Sequence, residues 1–557
     1  MPATPALRAL AKLARGTGRL AAIGLFGWVL WTAGRVACQA ARWGGPAGVL
    51  DETVLWQKLG ELLVVAPLAL RLGLGVETPR GRQLAAILAS GAAVQVLAFF
   101  DLHGRAVWAP WCWCVAALAG ALPWILRRRG RGLLALSLFA LGFATAGAAG
   151  FLVGSGHAWY PVPSRAPPPA ATRLGRWRQD LRYLASELPR LHGNAFHTRP
   201  RVELEASIRA LEARLERLSD AEVAVGLAAI VASVGDAHTD MAPWRELGFR
   251  RLPLAVEWFG DDLRVTLAAE GAQAALGRKL VSIGGADVPA LLGRLATVIS
   301  HDNEAWLRAK LPGALVYAEL LHALGILPSP DEARLVVEGE DGAPLALNLV
   351  PVAPGEPLVL FTAARAAPLA ASRPGESFWF EPLADGRTLF VRYARCDRFL
   401  EFRRFARRLF EELDRVGWER VVIDLRGNGG GNSLQFDWFF LPRLRARPEL
   451  DRPDRLFVLI DDGTFSSAGD NAVRLERDTR ATIVGRPTGG KPNSWGEVRW
   501  FELPNSGLRV NYSTRFERTL DDADPPTLDP HVEVRRSIDD FVHGRDPDLE
   551  RALELGS

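Results

Sequence analysis

The residues best suited to chemistry lie in the last third of the chain. The stretch "IDDGTFSSAGDNAVRLERDTRATIVGRPTGGKPN", residues 460–493, opens on Ser466 and Ser467 and closes near Lys491. Lysine is scarce: Lys12, Lys58, Lys279 and Lys310 are the others, against 67 lysines and arginines in all. Arginine keeps its proton near neutral pH, whereas a desolvated lysine can be neutral and act as a base. A serine hydroxyl becomes a nucleophile when a base lies within hydrogen-bond reach and donors await the oxyanion. "RLFVLIDD" reads as a buried strand and "SSAGDNAVRLERDT" as the helix after it, so Ser467 falls at a strand-to-helix turn. There a side chain projects from the carboxyl end of a sheet and helix N–H groups face an anion. The plainer alternative is a serine N-cap, with Asp470 completing a capping box.

Two further stretches bear on this choice. "DLRGNGGGN", 424–432, is a glycine-rich turn whose backbone can approach a ligand and offer N–H donors. It lacks the GK[ST] continuation of a phosphate-binding loop. Lys491 follows the next strand, "ATIVG", and two neighbouring strands of one sheet would bring it and Ser467 to the same edge. "GDAHT", 235–239, supplies His238 as an alternative base suited to neutral pH, or as a loop histidine bonded to Asp236 or Asp240. His192, His197, His301 and His322 have no partners at metal-ligand spacing, so neither a metal nor another cofactor is expected.

The segments "VVIDLRGNGGGN", "TFSSAGD" and "ATIVGRPTGGKPNSWGE" resemble, in order, those of the carboxyl-terminal processing (tail-specific) serine peptidase family. The resemblance covers roughly residues 173–545. It implies a crotonase/ClpP-like α/β catalytic core with a PDZ-type insert, a polypeptide substrate and a serine–lysine dyad. Carried over, the nucleophile is Ser467, with Gly469 and Asp470 replacing the family's serine and glutamate. The base is Lys491, and the amides of Gly430 and Ala468 form the oxyanion hole. The glutamine that often supports the lysine is missing from "KPNSWGE", leaving its place to Asn493 or Glu497. "GRKLVSIGGADV", 277–288, resembles the core of an abbreviated PDZ module. Some relatives of the wider, tricorn-like group use a histidine at a place comparable to His238.

The elements that must position these residues follow from periodicity. Residues 173–246 read as a helical subdomain, with Ser219 and Glu222 as a capping box. Residues 247–352 read as a small β-rich subdomain, opening on a hairpin turned at "GDD". From 373 to 545 strands alternate with helices, an α/β layer arrangement with largely parallel strands.

Ahead of these, residues 1–156 read as a membrane domain. Apolar runs at about 20–41, 54–76, 84–101, 106–126 and 132–154, the second the weakest, read as long enough to cross roughly 30 Å of hydrocarbon. Lys58 and Glu61 in the second run read as a structural pair. Arginine-rich connections alternate with poor ones, which puts the N-terminus in the cytoplasm and the catalytic part in the periplasm or outside. The proline-rich stretch 157–172 reads as a spacer. The expectation is thus an integral protein of a bacterial inner membrane, with the lipid bilayer as a partner. Net charge is +4, and no basic run with interleaved aromatics occurs in the soluble part, which excludes nucleic acid as a partner. The four cysteines form neither a disulfide framework nor a zinc pattern. Competing readings are a catalytically silent ligand- or peptide-binding protein on the same fold, and an acyl-CoA enzyme.

Overall fold

The computed structural model describes residues 161–556. The five expected membrane spans within 1–156 lie outside the described residues. Among the described residues no helix is long and apolar enough to cross a membrane. The longest, Arg173–Leu191, carries Arg176, Arg178, Asp180 and Arg182 along its length and buries one face. The expected fold class, a helical membrane domain joined to an α/β part, is therefore corrected for the described residues to an α/β unit, and the membrane domain is not shown. No helix among the described residues supports the integral-membrane localisation or the bilayer as partner.

A six-stranded sheet organises the second half of the chain. Its order is Val532–Glu533, Thr482–Gly485, Leu456–Ile460, Arg420–Asp424, Thr388–Tyr393, Phe378–Pro382. All pairings are parallel except the last, a hairpin. "RVVID" and "LFVLI" are buried at every position, as strands covered on both faces must be. Val421, Ile423, Leu456, Val458 and Ile483 face one core with Phe402, Phe405 and Leu409 of the helix Phe399–Val416. Val422, Phe457, Leu459 and Val484 face the other, closed by Leu549 and Ala552 of the helix Pro547–Leu555. Gly417, at φ 71°, ends the first of these helices in the left-handed conformation that favours glycine.

The first half forms a separate core. The helices Arg173–Leu191, Arg201–Glu212 and Asp220–Ala232 pack with two antiparallel sheets. The reciprocal Ser219–Glu222 capping box is present, and Leu254–Phe259 pairs with Asp262–Ala269 across Gly260. The helical and β-rich segments share this core, and the hairpin Asn493–Glu502/Arg509–Arg518 adds Phe501, Val510 and Tyr512 to it. The proline-rich stretch lies against the Arg173–Leu191 helix: Tyr183 donates to the Ser164 carbonyl at 2.6 Å, and Ser164 N donates to Glu187 at 2.8 Å.

Candidate active site

Three neighbouring parallel strands end side by side, and each carries one of the sequence motifs. Arg420–Asp424 leads into the glycine turn, Leu456–Ile460 into the turn before Ser467, and Thr482–Gly485 into Gly489, Gly490 and Lys491. The first two turns are laced together. Gly427 N donates to Asp461 Oδ1 at 2.7 Å, Phe465 N to the Asn428 carbonyl at 2.9 Å, and Thr464 Oγ1 to the Leu425 carbonyl at 3.1 Å. The third packs on them: a Cβ on Gly490 would stand 3.1 Å from Ser466 N.

Ser467 begins the helix Ser467–Asp478. Ser466 stands at its N-cap with φ 52° and ψ −131°, and its hydroxyl caps nothing. Asp470 instead accepts from Thr519 Oγ1 at 3.0 Å, so the capping-box explanation of the two serines fails. A non-glycine residue held at positive φ stores roughly 1–3 kcal/mol and persists only where its surroundings demand it. Here it aims the next side chain, Ser467, at the glycine turn, where its Oγ donates to the Gly431 carbonyl at 2.7 Å.

The two amides assigned to the oxyanion hole have other partners in this arrangement. Gly430 N donates to Asn428 Oδ1 at 2.9 Å, and Ala468 N donates to the Phe465 carbonyl at 3.1 Å. Gly430 and Gly431 sit at φ 90° and 136°, and a Cβ on Gly431 would lie 2.3 Å from the Cys396 carbonyl oxygen. Only glycine fits this crossing. Reaching the oxyanion position requires the turn to shift, and catalytic hydrogen bonds often tighten only with substrate in place.

Lys491 is brought to the correct edge, but its amine goes to Asp524 Oδ2 at 2.9 Å. Asn493 secures that partner's loop, donating to the carbonyls of Leu520 and Ala523 and accepting from Thr519 N and Leu520 N. Glu497 sits at φ 55° and faces Arg499 and Arg515. Lys310 lies 4.0 Å above the Trp306 ring, and burial, aided by Arg245, lowers its pKa against the pull of Asp240.

His238 arrives from the helical subdomain. Its ring lies 4.5 Å from that of Phe465, two residues before the nucleophile, and Phe465 stacks on Trp306 at 3.7 Å. Burial lowers the His238 pKa although Asp236 and Asp240 oppose it, so the imidazole is neutral at pH 7. Asp236 is fully buried and anchors this loop: it accepts from the His238 amide at 2.9 Å, from Thr239 Oγ1 and from His192 Nε2 at 3.0 Å. His192 Nδ1 accepts from Asn194 N, which fixes Nε2–H as the donor to Asp236. Burial raises the Asp236 pKa, but these hydrogen bonds, led by that of His192, and the electrostatic pull of His238 outweigh it and hold the carboxyl below its usual value.

Asp302 completes the group. Its Oδ1 accepts from Ala237 N at 3.1 Å, and burial together with the Asp236 charge pushes its pKa up to about 7. The next residue, Asn303, ties this corner to the lysine turn by donating to the carbonyls of Gly489 and Pro526. Asp302, Trp306 and Lys310 escaped the sequence reading because nothing in their spacing relates them to Ser467. The signal available was "SHDNEAW", a polar cap pattern before a helix, which describes hundreds of ordinary helix starts.

No family model and no curated protein matches the chain. Among solved structures it is similar to mature CPAF, at 15% identity and TM-score 0.46 over 69% of this chain and 96% of that one. The photosystem II D1 C-terminal processing protease is matched at 18% identity and TM-score 0.33, over 68% of this chain and 97% of that one. The tricorn protease is matched at 12% identity and TM-score 0.33, over 70% and 37%. Likenesses at this level say nothing of activity, which rests on the side chains.

Proposed function

We propose that this chain is a serine-type endopeptidase that hydrolyses peptide bonds in polypeptides, with Ser467 as nucleophile. The observation that carries the reading is Ser466 at positive φ, which turns Ser467 toward a glycine crossing at the carboxyl ends of three parallel strands. His238 is the base this geometry favours. It is neutral at pH 7, its loop is held by Asp236, and its ring packs on the nucleophile's own turn. Ser467 Oγ attacks the peptide carbonyl, the imidazole takes its proton and returns it to the leaving amine, and water then releases the acyl group. Glycine-turn and helix-start amides bind the oxyanion once the turn releases the serine, a term of about 3 kcal/mol per donor.

Lys491 remains the second reading, because Gly490 packs directly on Ser466. It requires the amine to leave Asp524 and lose its proton. Cleavage of an unstructured polypeptide separates the two. Ser467→Ala should abolish it. His238→Ala should lower kcat by about 10²–10⁴-fold, the usual range for a general base, and Lys491→Ala by less. Full activity in Ser467→Ala overturns the peptidase reading. A dead Lys491→Ala beside an active His238→Ala transfers the base role to the lysine.

A further inference from the structure

We propose that Asp236, His238 and Asp302 bind a divalent transition-metal cation of the zinc type, and that the ion switches hydrolysis off by occupying the imidazole. The switch rests on the reading of His238 as base; the binding site does not. One ligand atom from each residue lies within 4.8 Å of the other two. Two of the three residues carry a buried atom with no hydrogen-bond partner, His238 Nδ1 and Asp302 Oδ2. The His238 side chain is only 9% exposed. An unpaired buried polar atom costs about 1–3 kcal/mol, and two of them turned into one cluster point to a missing shared partner.

The chemistry of the set suits such an ion. One imidazole and two carboxylates are ligands that zinc accepts, and three protein ligands leave a position for water. Two ligands come from one short loop, and the third, Asp302, immediately precedes Asn303, the N-cap of the Glu304–Ala314 helix. Asp236 already has the support expected behind a ligand, since His192 and Thr239 donate to it and fix its orientation. His238 Nδ1 stands 3.9 Å from Asp236 Oδ1, a gap that a cation bridges and a direct hydrogen bond does not. The opposing charge is Lys491, which acts on Asp302 while paired to Asp524.

With the ion on the Nδ1 lone pair, the ring proton is held on Nε2, which then has no lone pair for the serine proton; removal of the ion lets the proton pass to Nδ1 and frees Nε2 as the base. No bond of the substrate is involved.

The test is calorimetric titration of the full chain, carried as Ser467→Ala to prevent self-cleavage, first stripped with EDTA and then titrated with Zn²⁺ or, as the hard-ion control, Ca²⁺. One Zn²⁺ site is expected, with Ca²⁺ far weaker. Asp302→Asn, which keeps the side chain's shape, and His238→Ala should each weaken Zn²⁺ by at least about 100-fold, since even outer-shell partners cost about 10–100-fold. Lys491→Gln should tighten it. Absence of a one-to-one site, or unchanged affinity in a folded Asp302→Asn variant, overturns the metal site, whatever the protein hydrolyses. With Ser467 restored, Zn²⁺ should inhibit cleavage and EDTA should relieve it. Binding without inhibition overturns the switch.

Discussion

Replacing Arg426 by methionine tests how firmly the glycine turn is anchored. The guanidinium is largely buried and makes five hydrogen bonds: two to Asp424 at 2.8 and 3.0 Å, two to Asp546 at 2.7 Å and one to Asp548 at 2.8 Å. Methionine fills much of the same volume but leaves three carboxylates facing one another. Arg392 still reaches Asp424 at 3.3 Å, and Arg486 still acts on Asp548. Breaking a buried pair from one side costs about 3–5 kcal/mol, and the surviving arginines favour the lower end. In the wild type, burial raises the Asp424 pKa but Arg426 and Arg392 outweigh it, so the carboxyl stays ionised in the fold. In the variant the folded pKa of Asp424 rises above its unfolded value. The native state is then penalised as pH climbs from the ordinary carboxyl range, so the deficit is greatest at pH 8 and narrows toward pH 5. Urea unfolding at both pH values, followed by tryptophan fluorescence, measures it. A deficit under about 1 kcal/mol at pH 8, or one that widens on acidification, refutes the anchoring role.

Three other substitutions probe the same corner. Gly431→Ala puts a Cβ against the Cys396 carbonyl at positive φ, and should destabilise the chain by about 1–3 kcal/mol while lowering kcat by more than about 10²-fold; a Tm and kcat like the wild type's argue against the crossing. Ser466→Gly should raise stability by about 1 kcal/mol, because the strain it removes exceeds the entropy glycine adds; a lower Tm contradicts stored strain at the turn. Asp470 has its pKa pushed up to about 6, chiefly by burial. Its stability contribution is complete below the unfolded value near 3.8 and is lost as pH rises through 6. Asp470→Asn should therefore be the more stable form above pH 6, by up to about 3 kcal/mol, with the advantage fading toward pH 4; parallel melting curves across that window rule this out.

What was legible in the sequence was whatever depends on local pattern. The runs "RVVID" and "LFVLI" announce strands covered on both faces, and strand–helix alternation announces a parallel sheet, because both follow from period and burial. Ser219 with Glu222 reads correctly because a capping box is complete within four residues. Ser466 with Asp470 reads wrongly because the strained turn is imposed from outside, by Gly430 and the packing of Phe465. Lysine scarcity pointed to Lys491, but what its amine meets depends on the loop folded beside it, and that loop brings Asp524. Asp524 and Asp302 are brought in by loops 33 and 65 residues from the groups they meet, a separation that no spacing rule spans.

The core formed by the first half of the chain borrows the hairpin Asn493–Arg518 from a segment that follows Ser467. A ribosome adding about 5–20 residues per second makes the first half of the chain wait about 8–30 s for it. During that interval, leucines and valines that will meet Phe501 and Tyr512 stay uncovered on the nascent chain. An open core on the nascent chain, closed only when a much later hairpin emerges, is the cost of that arrangement.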